Sequence, residues 1–555
     1  MILNFLIDKK FSSRRLEYTI RTIAIRLGYP YKIIFEPKSI KPQDITITYL
    51  PADQLRKLPL QALINIFNSK QIEDLDHAER VINLFEWHEQ SLPVIGNRIQ
   101  DKDISGFRVF KNDIFYQKTK TNTWLIPIDI FLNVFYHLSR YEEKWRHFTE
   151  ETATDYSASI LSRYQELRIP IVDVLIAYLD TIIRDRLKND KKFAVKILAW
   201  PNAEEIGVAF THDIDITRSV HMKTRITKIG KGYISRLLGK GDLLSKTKME
   251  INQKDANSWN LPELLSSYSK VGWRATFFFL AKIMEGSHFR YNISSKKFKK
   301  LFEQLKSEKH EIALHPSKFA FDRPKYYREE KARLEAVSGV KVEGMRQHFL
   351  RAKFPRLWEY VEKAALSYDA SLGYNFQAGF RAGTSHPFKT YDVFNDKPLS
   401  VIEFSLHLFE YNLPQGGEDL QKSKELITHL LEQVSAYNGL FTCLLHPSNY
   451  HKSPFNELWK YLQEELEKRR IYVTTLNNHL NWQRNKERIN VHIMYKSKDI
   501  PEINISLPAQ LHQIALEFIG DFEPIDNKDV SIERIQKKYY LISTKRQQTK
   551  ISVRK

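Results

Sequence analysis

Between residues 206 and 482 the chain alternates short apolar runs with amphipathic stretches, the pattern of strands separated by helices in an α/β unit with mostly parallel strands. The runs are IGVAFTHD, RATFFFLA, HEIALHPS, VEGMRQHF, SVIEFSLH, GLFTCLLHPS and RIYVTTL. Helix-period stretches lie between them, at 295–309, 355–366 and 454–469, and two of the three open on Pro in the first turn. Seven strand candidates predict a barrel or an incomplete one.

The flanks read differently. Residues 1–199 mix apolar runs such as ITITYL with helix-period stretches such as FLNVFYHLSRYEEKW, which predicts an α/β amino-terminal domain. After residue 485 the helical period fades, and NVHIMYKS, EINISLP, VSIERI, KYYLIS and KISVRK are β-prone. The expected layout is an amino-terminal domain over 1–199, the barrel-like domain over 200–485 and a small β-rich module over 486–555.

A length of 555 residues exceeds what one hydrophobic core serves, and 42% hydrophobic with 27% charged residues describes a folded chain. The formal charge of +20 favours anionic partners, yet no zinc-finger spacing or nucleic-acid motif accompanies it. Basic residues concentrate over 218–254, a segment expected to lie beside the site and to suit an anionic carrier or a membrane surface. Cys443 is the single cysteine, which excludes an internal disulfide and a Cys-based metal cage. The start, MILNFLIDKKFSSRR, places apolar residues before basic ones and has no small-residue cleavage site, so a cytoplasmic protein is the expectation.

The candidate chemistry sits at the ends of the apolar runs. In Thr211-His212-Asp213-Ile214-Asp215 the two carboxylates share one face of an extended chain, an arrangement that raises one carboxyl pKa unless a cation sits beside them. Leu-His-Pro-Ser occurs twice, at 314–317 and 445–448, so His315 and His446 each stand where Pro stops a strand. Arg346 and His348 share a face two residues apart, and a guanidinium there can orient a carboxylate base. His310 is five residues from His315, on the opposite face of a strand, and has a structural role by that parity.

The order of these segments resembles the polysaccharide deacetylases of carbohydrate esterase family 4, the NodB-homology domain. Thr211–Asp215 resembles the family's first motif, Ala275-Thr276-Phe277-Phe278 its next strand, and Lys309–His315 the stretch carrying its first metal histidine. Arg346 matches its arginine motif, and Leu444-Leu445-His446 its late Leu-x-His. Two positions depart: Phe319 stands where the family has a second metal histidine, and Ile214 follows Asp213 directly. Tyr368–Ser371 and Gly379-Phe380-Arg381 match its fourth motif only loosely.

The resemblance implies a distorted seven-stranded (β/α) barrel that removes N-acetyl or O-acetyl groups from sugars with a divalent metal, zinc first. Carried onto this chain, Asp215 and His315 hold the cation, Asp213 is the base oriented by Arg346, and His446 is the acid. His348 is the expected third ligand, and Ser317 and Arg381 are expected to contact substrate. The substrate is an acetylated carbohydrate, polymeric or lipid-linked. A second reading, prompted by Phe319, is a glycan-binding protein on the same barrel without catalysis.

Overall fold

The computed structural model describes residues 1–36, 40–41, 43–50, 63–88, 90–97, 124–144, 159–164, 167–215, 229, 231, 259–282, 291–497 and 500–554. The basic segment 218–254, with its expected place beside the site, lies outside the described residues apart from the isolated positions 229 and 231.

The amino-terminal region holds β1 (Leu3–Leu6), β2 (Tyr31–Ile34), β3 (Ile45–Leu50), β4 (Leu63–Phe67), β5 (Ile82–Trp87), β6 (Gln90–Ile95) and β7 (Trp124–Ile126). Five of these form a parallel sheet in the order β2-β1-β3-β4-β7, while β5 and β6 form a separate antiparallel pair. The helix Arg14–Leu27 shows why the sequence folds this way. Ser13 caps it by accepting from the Leu16 N–H, Gly28 ends it at φ 78°, and Leu16, Ile20, Ile23 and Leu27 are buried at helical spacing.

The strand that follows, β8 (Ala194–Ile197), pairs antiparallel with a strand of the carboxy-terminal module. This strand lies before the boundary expected at residue 199.

The central sheet comprises β9 (Ile206–Ile214), β10 (Ala275–Leu280), β11 (Glu311–His315), β12 (Gly344–Met345), β13 (Tyr368–Asp369), β14 (Phe388–Asp392), β15 (Lys397–Glu403), β16 (Leu408–Phe409), β17 (Leu440–Leu444) and β18 (Ile471–Val473). Its order is β14-β15-β13-β12-β11-β10-β9-β17-β16, with β18 also on β9, and only β14 runs antiparallel. All seven apolar runs enter this sheet, but it has ten strands among the described residues rather than seven. The additional ones are β13, β14 and β16, two of them only two residues long. Strand β9 is buried throughout, and β10 likewise, as strands covered on both faces are.

The sheet is curled. Strands β9 and β12 are separated by β10 and β11, so on a flat sheet they would lie about 14 Å apart at the usual inter-strand spacing. Arg346, directly after β12, nonetheless reaches the Asp213 carboxylate of β9 at 3.2 Å. Tight packing inside the curl explains Gly344: a Cβ there would fall 2.0 Å from the Tyr368 ring.

The carboxy-terminal strands are β19 (Asn490–Ser497), β20 (Ile500–Ser506), β21 (Gln513–Ile519), β22 (Glu523–Ile525), β23 (Val530–Gln536), β24 (Tyr539–Thr544) and β25 (Gln548–Arg554). They form two four-stranded antiparallel sheets, β19-β20-β25-β22 and β23-β24-β21-β8, around a core that includes Val195, Ile503, Leu516, Ile542 and Ile551. Among the described residues no helix is long and apolar enough to cross a membrane.

Candidate metal centre

Side chains from the ends of β9, β11, β12 and β17 converge. Asp213 and Asp215 close β9 and are nearly buried, 5% and 8% exposed. His315 ends β11, where Pro316 stops the ladder. Its Nδ1 lies 2.7 Å from the Arg346 carbonyl oxygen. A carbonyl only accepts, so Nδ1 carries the proton and Nε2 keeps its lone pair for the site. That Nε2 lies 3.2 Å from Asp215 Oδ1 and 3.8 Å from Asp213 Oδ2.

His348 does not extend β12, as expected, but opens the 3-10 turn His348–Leu350. Its Nε2 nevertheless lies 3.5 Å from Asp215 Oδ2, and ligand atoms of Asp215, His315 and His348 all fall within 4.8 Å of one another. The set fits a divalent cation on a further observation: His315 Nε2 and Asp215 Oδ1 are buried, face each other, and make no well-aligned hydrogen bond. Two acceptors turned toward one point suit a shared cation. Burial works against the Asp215 charge, but His315 and His348 outweigh it and hold the carboxyl well below its ordinary range.

Arg346 is fully buried. Its Nη1 donates to Thr211 Oγ1 at 2.7 Å and to Asp213 Oδ1 at 3.2 Å, and its Nε donates to the Ala370 carbonyl at 2.9 Å. The guanidinium thus ties the β9 carboxylate to β12 and β13.

His446, after β17, points Nε2 at Asp215 Oδ2 from 3.4 Å. Its Nδ1 donates to Glu410 Oε1 at 2.6 Å, and its backbone N–H donates to the same oxygen. Burial disfavours the imidazolium, yet Glu410, with Asp215 behind it, holds the His446 pKa well above the usual imidazole value. Glu410 escaped sequence analysis. It lies in a turn after the two-residue β16, 36 positions before its partner, with no periodic pattern to mark it.

The two expected substrate contacts, Arg381 and Ser317, are engaged inside the protein. The Arg381 guanidinium is buried, donating through Nε and Nη2 to Glu143 and through Nη1 to the Gly373 carbonyl, so it fastens the amino-terminal region to the sheet. Ser317 is also buried and donates from N and Oγ to Glu330, anchoring the loop after β11 to the helix Pro324–Ser338. Both residues are buried, 1% and 0% exposed. His310 has the structural setting expected of it, its Nδ1 accepting from the Ala275 N–H. Phe319 stands 44% exposed.

The mostly parallel α/β sheet thus carries an Asp-His-His cluster beside an Asp–Arg pair and a His–Glu pair, and the solved structures similar to this chain include carbohydrate esterase family 4 polysaccharide deacetylases, pseudoenzymes among them. A candidate polysaccharide deacetylase of Mycobacterium smegmatis is 17% identical, with 52% of this chain and 93% of that one covered at a TM-score of 0.35. The polysaccharide deacetylase Bc1974 of Bacillus cereus is 11% identical, with 49% and 91% covered at 0.26. A family 4 pseudoenzyme of Bacillus anthracis is 11% identical, with 50% and 66% covered at 0.25. Residues 5–188 match a family of unknown function, DUF7033. No curated protein matches the chain.

Proposed function

We propose that this protein is a metal-dependent carbohydrate deacetylase that hydrolyses N-acetyl, or O-acetyl, groups on sugars. The observation that carries the reading is the convergence of His315, His348 and His446 on Asp215, with Asp213 and Arg346 alongside. Asp215, His315 and His348 would hold the cation, and zinc suits a carboxylate and two imidazoles. When bound, it supplies Lewis acidity toward water and the acetyl carbonyl.

The chain's own groups supply the proton transfers. Asp213, oriented by its contact with Arg346, takes the proton of the attacking water. His446, kept cationic by Glu410, delivers a proton to the departing nitrogen or oxygen of the sugar. Base and acid are thus each positioned by a buried partner, Arg346 for one and Glu410 for the other.

The binding-only reading starts from Phe319 standing in place of a histidine ligand, and the closeness of His348 to Asp215 and His315 supports His348 as the ligand in its stead. The test is acetate release from a panel of N- and O-acetylated sugars by the zinc-loaded protein and by Asp213→Asn. Release by the parent and a loss of about a hundredfold or more in the variant, with its metal retained, are expected from removal of a general base. Equal release by both would overturn the role of Asp213, and no release by the parent would overturn the function.

A further inference from the structure

The carboxy-terminal module carries a cavity of about 880 Å³ to which no residue of the central sheet contributes. Ordinary ligand sites occupy roughly 300–1,000 Å³, so this one has room for more than a single small ion. Its floor is the outer face of β19, β20 and β25. Val491, Ile493, Ile503, Ile505 and Ile551 turn inward to the module's core, and side chains alternate along a strand, so the residues between them turn outward. Register aligns these in two rows across the three strands: Asn490, Ser506 and Gln548 in one, His492, Asn504 and Lys550 in the next. The rows fall roughly 6.8 Å apart along the strands, with neighbours roughly 4.8 Å apart across them. Asn504, at the middle of the second row, has its Oδ1 shielded from water and without a hydrogen-bond partner. A polar atom in that state costs free energy until a donor reaches it.

The rim is fixed and basic. In the turn after β22, Asn527 donates through Nδ2 to the Lys550 carbonyl at 2.9 Å and accepts from the Asp529 N–H at 2.9 Å, which pins Lys528 at the edge of the cavity. Arg546, from the turn before β25, meets Asp529 at 3.5 Å. Lys528, Arg546 and Lys550 thus set three cations against the one carboxylate of Asp529.

The positive excess suits an anion. Two rows of amide, hydroxyl and imidazole groups suit a ligand with many hydroxyls, more than an inorganic anion carries. Among the described lining residues there is no Phe, Tyr or Trp, so the floor has no platform on which a nucleobase would stack. We infer that this cavity is a second binding site, for an acidic oligosaccharide, with sugar hydroxyls on the two rows and carboxylates against Lys528, Lys550 and Arg546. It shares no residue with the candidate metal centre and does not rest on the deacetylase reading.

Calorimetric titration of the full chain with tetragalacturonic acid, at low and at physiological salt, tests the inference, with the methyl ester of the same tetramer as the uncharged control. The acid should bind, more weakly as salt rises, and the ester at least about tenfold more weakly than the acid. Lys528→Glu, in an exposed turn, and Lys550→Gln should each weaken binding of the acid by about threefold or more. Asn504→Asp, which keeps the shape and adds a like charge, should weaken it by about tenfold. Lys528→Arg should keep the affinity. Thermal melting is read in parallel, and Lys528→Glu decides the matter if a strand substitution unfolds the module. No binding of the acid, equal binding of the ester, or undiminished binding by Lys528→Glu overturns the inference. So does binding of inorganic phosphate or of a single-stranded oligonucleotide as tight as that of the acid, which would mark a simple anion site or a nucleic-acid surface. Binding of the acid by a parent that releases no acetate from any acetylated sugar would sustain the inference and sink the deacetylase reading. Acetate release without binding of the acid would do the reverse.

Discussion

His446 gains its character from Glu410, which accepts from both its ring and its backbone. The Glu410 charge raises the imidazole pKa, so the protonated form persists at neutral pH and is lost as pH rises through that raised value. Glu410→Gln removes the charge and lets the pKa fall. The alkaline limb of kcat for acetate release should then move to lower pH, and an unmoved limb would separate Glu410 from the acid. Arg346→Lys should lower kcat by about tenfold or more while the metal stays bound, since one ammonium cannot reproduce the planar fork to Thr211, Asp213 and the Ala370 carbonyl; unchanged kcat would argue against a positioning role. Asp213, Asp215, His315, Arg346 and His446 were legible because each follows an apolar run, where strands expose their last side chains. Glu410 follows no such run. The internal partners of Arg381 and Ser317 were not legible, because a polar residue near a motif carries no sign of the buried Glu143 or Glu330 that it meets.

Strand β12 is two residues long, yet it delivers both Arg346 and His348 to the site. Its position depends on Gly344 lying against the Tyr368 ring, where a Cβ has no room. Gly344→Ala should therefore destabilise the protein by about 1–3 kcal/mol, the usual cost of overpacking, and loosen metal binding with it. A urea denaturation series measures the first effect, and an unchanged midpoint would contradict the account of this strand. The seven longer runs were readable because parallel strands covered on both faces are continuously apolar. Strands β13, β14 and β16 were not, being short or polar at alternate positions. The pairing of β8 with β21 could not be read either, since register between distant segments leaves no local pattern.

The amino-terminal region and the central sheet share one apolar core, from Leu3 and Ile20 to Tyr391 and Val401, so they should resist denaturation together. Buried imidazoles set how that stability responds to acid. Burial lowers His212 and His386 to about 3 and His137, His310, His407 and His479 to about 4. Their contribution is complete above the unfolded value of 6.5 and is lost as pH falls toward those folded values. Burial works oppositely on carboxyls, raising Glu311 to about 7, Asp369 to about 6 and Glu403 above its ordinary range, which adds stability on acidification. The two sets oppose each other between pH 7 and pH 5, and Glu311→Gln, which removes a carboxyl raised to about 7, should steepen the loss of stability on acidification over that interval; an unchanged pH dependence of the denaturant midpoint would contradict that assignment.

The proposed acid and base are both arranged around the point where Asp215, His315 and His348 would hold one cation. Elemental analysis after exhaustive dialysis against trace zinc tests it directly, on the parent protein and on Asp215→Asn, His315→Ala and His348→Ala. The parent should retain about one zinc per chain, and each variant should lose affinity by about tenfold or more, His348→Ala as much as His315→Ala. A parent that retains no zinc, or a His348→Ala protein that retains as much as the parent, would contradict the account.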